Sequence, residues 1–244
     1  MIKLFSLVKR NILETVRDPL SSVFCVAFPV VMLVFMQVIF SSMQFVPPNF
    51  SIENYAMGIC VFGYTFTGMF VSMGIAGDKN SSFIKRVNIS PIKTLTYYLS
   101  YLISAFIIAI LQTVLFLILA LIFKLPFDAR LFLAMLYMLP SAIFYISFGI
   151  LLGSICSNEK QAGPINSIII STTGILGGIF MPISSFTGAF EVIVNLLPFS
   201  HSVLIASELY TIGASCIYPH IIYLLIYIAI IWLVIYVTQK LKSK

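Results

Sequence analysis

The sequence predicts an all-α integral membrane protein, with six transmembrane helices, an N-terminal amphipathic interfacial helix, and short outer re-entrant helices between the fifth and sixth spans. Three observations predict it. Of 244 residues only 9% are charged and 60% are hydrophobic, and the mean hydropathy is +1.08, whereas a soluble domain carries roughly 25% charged residues to meet water. Stretches free of Asp, Glu, Lys and Arg cover 19–52, 54–77, 94–123, 131–158, 161–190, 192–207 and 209–239. Six of them reach the roughly 17–25 residues that a helix needs to cross the hydrocarbon core, while 192–207, interrupted by Pro198, does not. Finally, cations collect in short cytoplasmic loops. With the N-terminus inside, Lys3, Lys9, Arg10, Arg17, Lys79, Lys85, Arg86, Lys93, Lys160, Lys240, Lys242 and Lys244 share the inner side, leaving only Lys124 and Arg130 outside. That distribution supports an even number of crossings, with both termini in the cytosol. The net charge of +6 then faces anionic headgroups and needs no nucleic acid.

Residues 3–18 place Phe5, Val8, Ile12 and Val16 on one stripe, with Lys9, Arg10, Glu14 and Arg17 elsewhere, as in an amphipathic helix lying on the inner surface. Asp18-Pro19 should end it, because proline disfavours helical geometry in the residue before it. The first span is expected over 20–41 and the second over 54–77, with Ser51 placed to cap the second and Glu53 suiting its positive end. Segment 78–91 is read as a cytosolic loop carrying the densest inner cation cluster, and so the prime surface for a cytosolic partner. Pro91 should open the third span, 92–122, and the fourth, 131–155, contains Pro140, which predicts a kink. The fifth is expected over 164–181 and the sixth over 217–238, with 182–215 as an outer re-entrant region. Gly149 and Gly153, and Gly174 and Gly178, have the G-x-x-x-G spacing that permits close helix approach, read here as packing within the chain in preference to a dimer seam.

Absences restrict function further. Apart from His220 near the start of the sixth span, the membrane interior contains no Asp, Glu, Lys, Arg or His, Lys93 standing at the inner end of the third, so a proton- or sodium-coupled carrier would have little to couple with. There is no G-x-x-x-x-G-K-[ST], H-E-x-x-H or G-x-S-x-G motif. His201, between Ser200 and Ser202, reads as a helix-terminal or interfacial residue ahead of a catalytic one, and Glu191 and Glu208 as solvated carboxylates ahead of a vestibule lining. Cys25, Cys60, Cys156 and Cys216 lack metal-site spacing and read as small apolar side chains, and no metal site is expected. The N-terminus lacks the apolar core and cleavage site of a removable signal peptide.

Three segments together resemble the ABC-2 type permeases, membrane subunits of one class of ATP-driven exporter. Arg17-Asp18-Pro19-Leu20, with Pro29 ten residues on, resembles the turn joining the interfacial helix to the first span. SSFIKRVNISPI resembles the family loop G-T-L-K-R-L-x-x-[ST]-P, matching at Lys85, Arg86, Val87, Ser90 and Pro91, with Ser82 and Phe83 where Gly and Thr are usual. GGIFMPISSF and NLLPFSHSV resemble the end of the fifth span and the outer segment after it, matching at Pro182, Pro198 and His201, while an Arg common after that His is replaced by Ser207 or Glu208. The resemblance implies a permease that pairs as a homodimer or heterodimer and docks two copies of a separate ATP-binding cassette subunit. Asp78, Lys79, Ser82, Phe83, Ile84, Lys85, Arg86, Ser90 and Pro91 would form the docking segment. Lys9, Arg10, Arg17, Asp18 and Pro19 would form the interfacial helix and its turn. ATP and Mg would sit on the partner subunit, with no cofactor on this chain. The expected setting is the cell membrane, of a bacterium, and the expected cargo an amphipathic or lipid-linked molecule such as a drug, antimicrobial peptide or glycolipid. A secondary carrier or channel, and a membrane enzyme using His201 and Glu208, are the competing expectations.

Overall fold

The computed structural model describes residues 2–44, 51–123, 125, 127–181, 183–211 and 217–242. Pro182, Cys216, Lys124 and residues 212–215 lie outside the described residues, as does the side chain of Glu208. Among the described residues every regular element is helical.

Helix α1 (Ile2–Arg17) is the expected amphipathic helix, but a different edge faces the protein. Leu7, Val8 and Asn11 are buried, whereas Phe5 and Val16 are 74% and 63% exposed and face away from the bundle. Asp18 does more than end this helix, because its carboxylate caps the next segment, α2 (Pro19–Ser22), accepting from the amides of Leu20 and Ser21 and from the Ser21 hydroxyl. The hydroxyl bond, with the two amides, holds the Asp18 carboxyl below the ordinary aspartate range. Stability from this cap is therefore complete above the ordinary aspartate value near 4 and is lost as pH falls through the lower folded value. Asp18→Ala should cost about 1 kcal/mol at neutral pH and leave an unfolding midpoint less sensitive to acid than the parent's.

The first span is not one smooth helix. A π-helical turn (Val23–Ala27) separates α2 from α3 (Phe28–Ser41). Pro29 explains it, because its missing N–H and its ring prevent a regular α-turn onto the carbonyl four residues earlier, and the turn widens. The next helices are α4 (Ile52–Asp78), α5 (Ser82–Ile89), α6 (Thr94–Ile122), α7 (Ala129–Ile155) and α8 (Glu159–Leu176). After a 3-10 turn (Ile183–Ser185) come α9 (Ala189–Leu196), α10 (Pro198–Thr211) and α11 (Ile217–Lys242).

Several boundaries correct the sequence reading. Segment 78–91 is mostly helix, and the third span begins at Thr94 with Lys93 in the cap position, after Pro91 and not at it. Ser51 holds the N-cap position of α4, yet its side chain makes no capping bond; its carbonyl accepts from Tyr55 N at 3.1 Å instead. The helix expected over 164–181 spans Glu159–Leu176. It stops because Gly178 takes φ +84°, a left-handed conformation that glycine adopts without a Cβ clash, and Phe180 N then turns back to the Gly174 carbonyl at 3.1 Å. Gly174 and Gly178 therefore do not form a helix crossing: a Cβ on Gly174 would meet the Phe180 ring at 2.6 Å.

Helix α4 is the centre of the bundle, with 78% of its apolar window buried. Helix α6 runs antiparallel to it, pairing Tyr64 with Thr113 at 2.6 Å and Thr67 with Gln112 at 3.1 Å. Helix α7 runs parallel to α4 and touches it backbone to backbone. A Cβ on Gly149 would lie 2.1 Å from the Gly68 carbonyl oxygen, and one on Gly153 would lie 2.7 Å from that of Ser72. Helix α8 runs antiparallel to α4: Asn166 Nδ2 donates to Ser72 Oγ at 2.9 Å, and further along Ile179 lies 3.6 Å from the Cβ position of Gly58. Among the described residues, five helices are long and apolar enough to cross a membrane, namely 19–41, 55–78, 94–122, 131–155 and 217–241. Helix α8 falls short on composition, since Glu159, Lys160 and Asn166 lie among its residues. Helices α9 and α10 meet at a 75° bend and would add a sixth if taken as one broken span.

Candidate functional site

The cation-rich ends of α4, α6 and α7 converge, and α1 lies across them. Arg10 and Asp78 form the centre. Arg10 Nη2 donates to Asp78 Oδ1 at 2.8 Å and Nη1 to Oδ2 at 3.0 Å, a two-pronged charge-assisted pair. Asp78 Oδ2 also accepts from Tyr97 Oη at 2.8 Å and Tyr101 Oη at 2.7 Å, so a buried carboxylate is met by four donors. Arg10 reaches Glu14 at 2.8 Å and lies over the Phe83 ring at 3.9 Å, and Asn11 Nδ2 donates to Ser100 Oγ at 3.1 Å. Burial alone would lower the Arg10 pKa, but the Asp78 hydrogen bond together with the electrostatic pull of Tyr101, Asp78 and Glu14 outweighs it, and the guanidinium is held more firmly charged than usual. Burial raises the Glu14 carboxyl, with Arg10 opposing.

The segment after Asp78 is fixed on its other side by α7. Lys79 Nζ donates to the carbonyls of Ser154, at 2.7 Å, and Cys156, and Asn80 Nδ2 donates to that of Ser157 at 3.3 Å, satisfying groups that the end of α7 leaves open. Ser81 caps α5 by accepting from Ile84 N, and Ser90 Oγ closes its far end on the Val87 carbonyl at 2.7 Å. Phe83 and Ile84 turn toward the bundle, Val87 is buried, and Ser82, Lys85, Arg86 and Pro91 are exposed with Ile89, which is 86% exposed. Lys9, Arg17 and Pro19 are exposed on α1 and its turn. The result is a short basic helix, anchored on two sides, with one apolar side chain projecting.

Above the Arg10 clasp a cavity of about 480 Å³ opens between the first span, α4 and α6. Phe70, Val71, Met73 and Ile108 supply apolar wall, and Glu14, Asp18 and Glu159 line its charged part.

At the opposite end, Pro198 begins α10 and Glu191 is exposed in the first turn of α9. His201 lies in the first turn of α10 and is buried: its Nδ1 lies 2.7 Å from His220 Nδ1, and its ring stacks on Tyr223 at 4.5 Å. Among the described residues, no group of three or more His, Cys, Asp or Glu is placed to hold a metal. Cys25, Cys60 and Cys156 are free and buried.

Sequence reasoning missed Tyr97, Tyr101 and Asn11, which complete the clasp, and Gly68, which completes the α4–α7 crossing. The tyrosines leave a faint signal in their four-residue spacing on one helical face at the start of a span.

A bundle of apolar helices around a buried mast, with a basic capped helix at one end, defines a polytopic membrane protein. The ABC-2 type transporter family model matches residues 2–210, and the chain belongs to that family, as a transporter permease. No curated protein matches the chain.

Proposed function

We propose that the chain is the permease subunit of an ATP-driven exporter, crossing the cell membrane of a bacterium six times with both termini cytosolic, and that α5 receives a separate ATP-binding cassette subunit. The observation that carries this reading is the mounting of α5. A helix of eight residues has little stability alone, yet this one is capped at both ends, tied to α7 through Lys79 and Asn80 and pressed against Arg10 through Phe83. Such a mounting transmits force, and its exposed side offers Lys85, Arg86 and Ile89 to a partner. The antiparallel register of α8 on α4 supports α8 as the fifth crossing despite its polar content, with α9 and α10 as the outer re-entrant pair. ATP and Mg then belong to the partner, in two copies on a permease dimer. The cavity above the clasp combines apolar and carboxylate walls, which suits an amphipathic cargo.

The test is affinity purification of the full chain from membranes together with a candidate ATP-binding cassette ATPase. The pair should co-purify, and Lys85→Glu with Arg86→Glu should weaken the association by about tenfold or more while leaving the unfolding midpoint of the permease alone unchanged. Transport by the isolated chain down an ion gradient, with no ATPase present, would overturn the reading.

A further inference from the structure

We propose that a groove between the start of α6 and the end of α11 is a binding site for a single anionic phospholipid. The groove encloses about 510 Å³. Leu95, Tyr98, Trp232 and Ile235 form its wall, and Thr94, Gln239 and Lys240 its mouth. Two hydrogen bonds hold it in shape. Gln239 Nε2 donates to Tyr98 Oη at 2.8 Å, linking the two helices, and Trp232 Nε1 donates to Ser147 Oγ at 3.1 Å, which turns the indole N–H inward and leaves hydrocarbon toward the groove.

Its flanks are helices long and apolar enough to lie in a bilayer, so the occupant must be soluble there. Leu95 and Tyr236, 54% and 64% exposed, extend the apolar surface along the two helices in the direction acyl chains would follow. Charge selects the headgroup. Lys93 and Lys240 stand at this end, and no Asp or Glu occurs along α6 or α11. A zwitterionic headgroup would set its own cation against these lysines, whereas an anionic one is attracted by them, and basic pockets between spans are a recurrent form of acidic-lipid site. A lipid seated here would bridge the α6 end that carries Tyr97 and Tyr101 to the C-terminal helix, on the side of α6 away from α1. The site is independent of the transport reading, since neither an ATPase nor a cargo takes part.

The experiment uses the full chain in a zwitterionic detergent. Native mass spectrometry counts bound dioleoyl phosphatidylglycerol or dioleoyl phosphatidylcholine across a titration. One phosphatidylglycerol should be retained per chain, saturably and with about tenfold preference over phosphatidylcholine. Lys240→Gln should cut that preference to about threefold or less, and Leu95→Trp, filling the groove, should remove retention of both lipids. Both positions are exposed, so folding is preserved, and Lys160→Gln on α8 serves as a charge control that should change nothing. Equal retention of the two lipids, a preference surviving both groove variants, or loss of the preference in Lys160→Gln would overturn the proposal. So would displacement of phosphatidylglycerol by equimolar inorganic phosphate, which would reveal an anion pocket in place of a lipid site.

Discussion

Asp78→Asn should lower the stability of the chain by about 3 kcal/mol, because it strips the negative charge from a carboxylate that four donors converge on. The new amide places two N–H groups where Arg10 or the tyrosine hydroxyls already donate, and Arg10 is left a half-buried cation with only the more exposed Glu14 to meet. Removing one member of a buried, hydrogen-bonded charge pair costs about 3–5 kcal/mol, and the lower end applies because the arginine side chain keeps 27% exposure. The midpoint of thermal unfolding in detergent should fall by on the order of 10 °C. Tyr97→Phe and Tyr101→Phe, each deleting one donor to a charged acceptor, should cost about 1–2 kcal/mol apiece. The decisive measurement is a cycle with Arg10→Met: the double variant with Asp78→Asn should be less destabilised than the sum of the two singles, since neither leaves the other stranded. Strict additivity would show that the pair does not hold α1 to the bundle.

A second large effect is expected at the α4–α7 crossing. Gly149→Ala adds one carbon, yet that carbon would stand 2.1 Å from the carbonyl oxygen of Gly68, a backbone atom that cannot rotate out of the way. The helices must part along the crossing, loosening the Gly153–Ser72 contact one turn further on. Overpacking of this kind costs about 1–3 kcal/mol when side chains can yield, and here, with backbone on both sides, about 3 kcal/mol or more. Gly149→Leu should fail to accumulate in membranes. Gly163→Ala is the contrasting substitution, because nothing beyond its chain neighbours lies within 4 Å of its Cβ position on α8, and it should change stability by under about 1 kcal/mol, the restriction before Pro164 offsetting alanine's helix preference. Equal midpoints for Gly149→Ala and the parent would rule out the close crossing.

Much of the bundle was legible because it rests on run length. The second and fourth spans, expected over 54–77 and 131–155, appear as α4 and α7 within two residues at either end. Asp18-Pro19 was legible as a break because the restriction on the residue before proline is local. What escaped depends on contacts distant in sequence. Tyr97 and Tyr101 look like ordinary interfacial aromatics until the antiparallel register of α6 on α4 brings them to Asp78. His201 and His220 read as separate polar residues for the same reason. Gly68 belongs to no G-x-x-x-G pair, so half of the crossing carries no mark in the sequence. The helix within 78–91 was hidden because its caps, Ser81 and Ser90, flank a stretch too short for a clear apolar period. Gly174 and Gly178 show the opposite failure: a pattern suited to helix packing serves to end a helix.

The contact between Gly68 and Gly149 also sets how stiffly the molecule responds to a push. Where side chains separate two helices, rotamer changes absorb small displacements; where carbonyl meets glycine, there is no such slack. A load applied to α5 passes through Lys79 and Asn80 into the end of α7, and one turn above the Gly153 contact α7 already bears on α4 without a cushion. The two helices must then travel as a single rod. The first span, 19–41, and α11, each only 17% buried over its most apolar stretch, present most of their surface to lipid and can yield around it. The stroke of any motion is thus set by how far the rod slides against these softer walls.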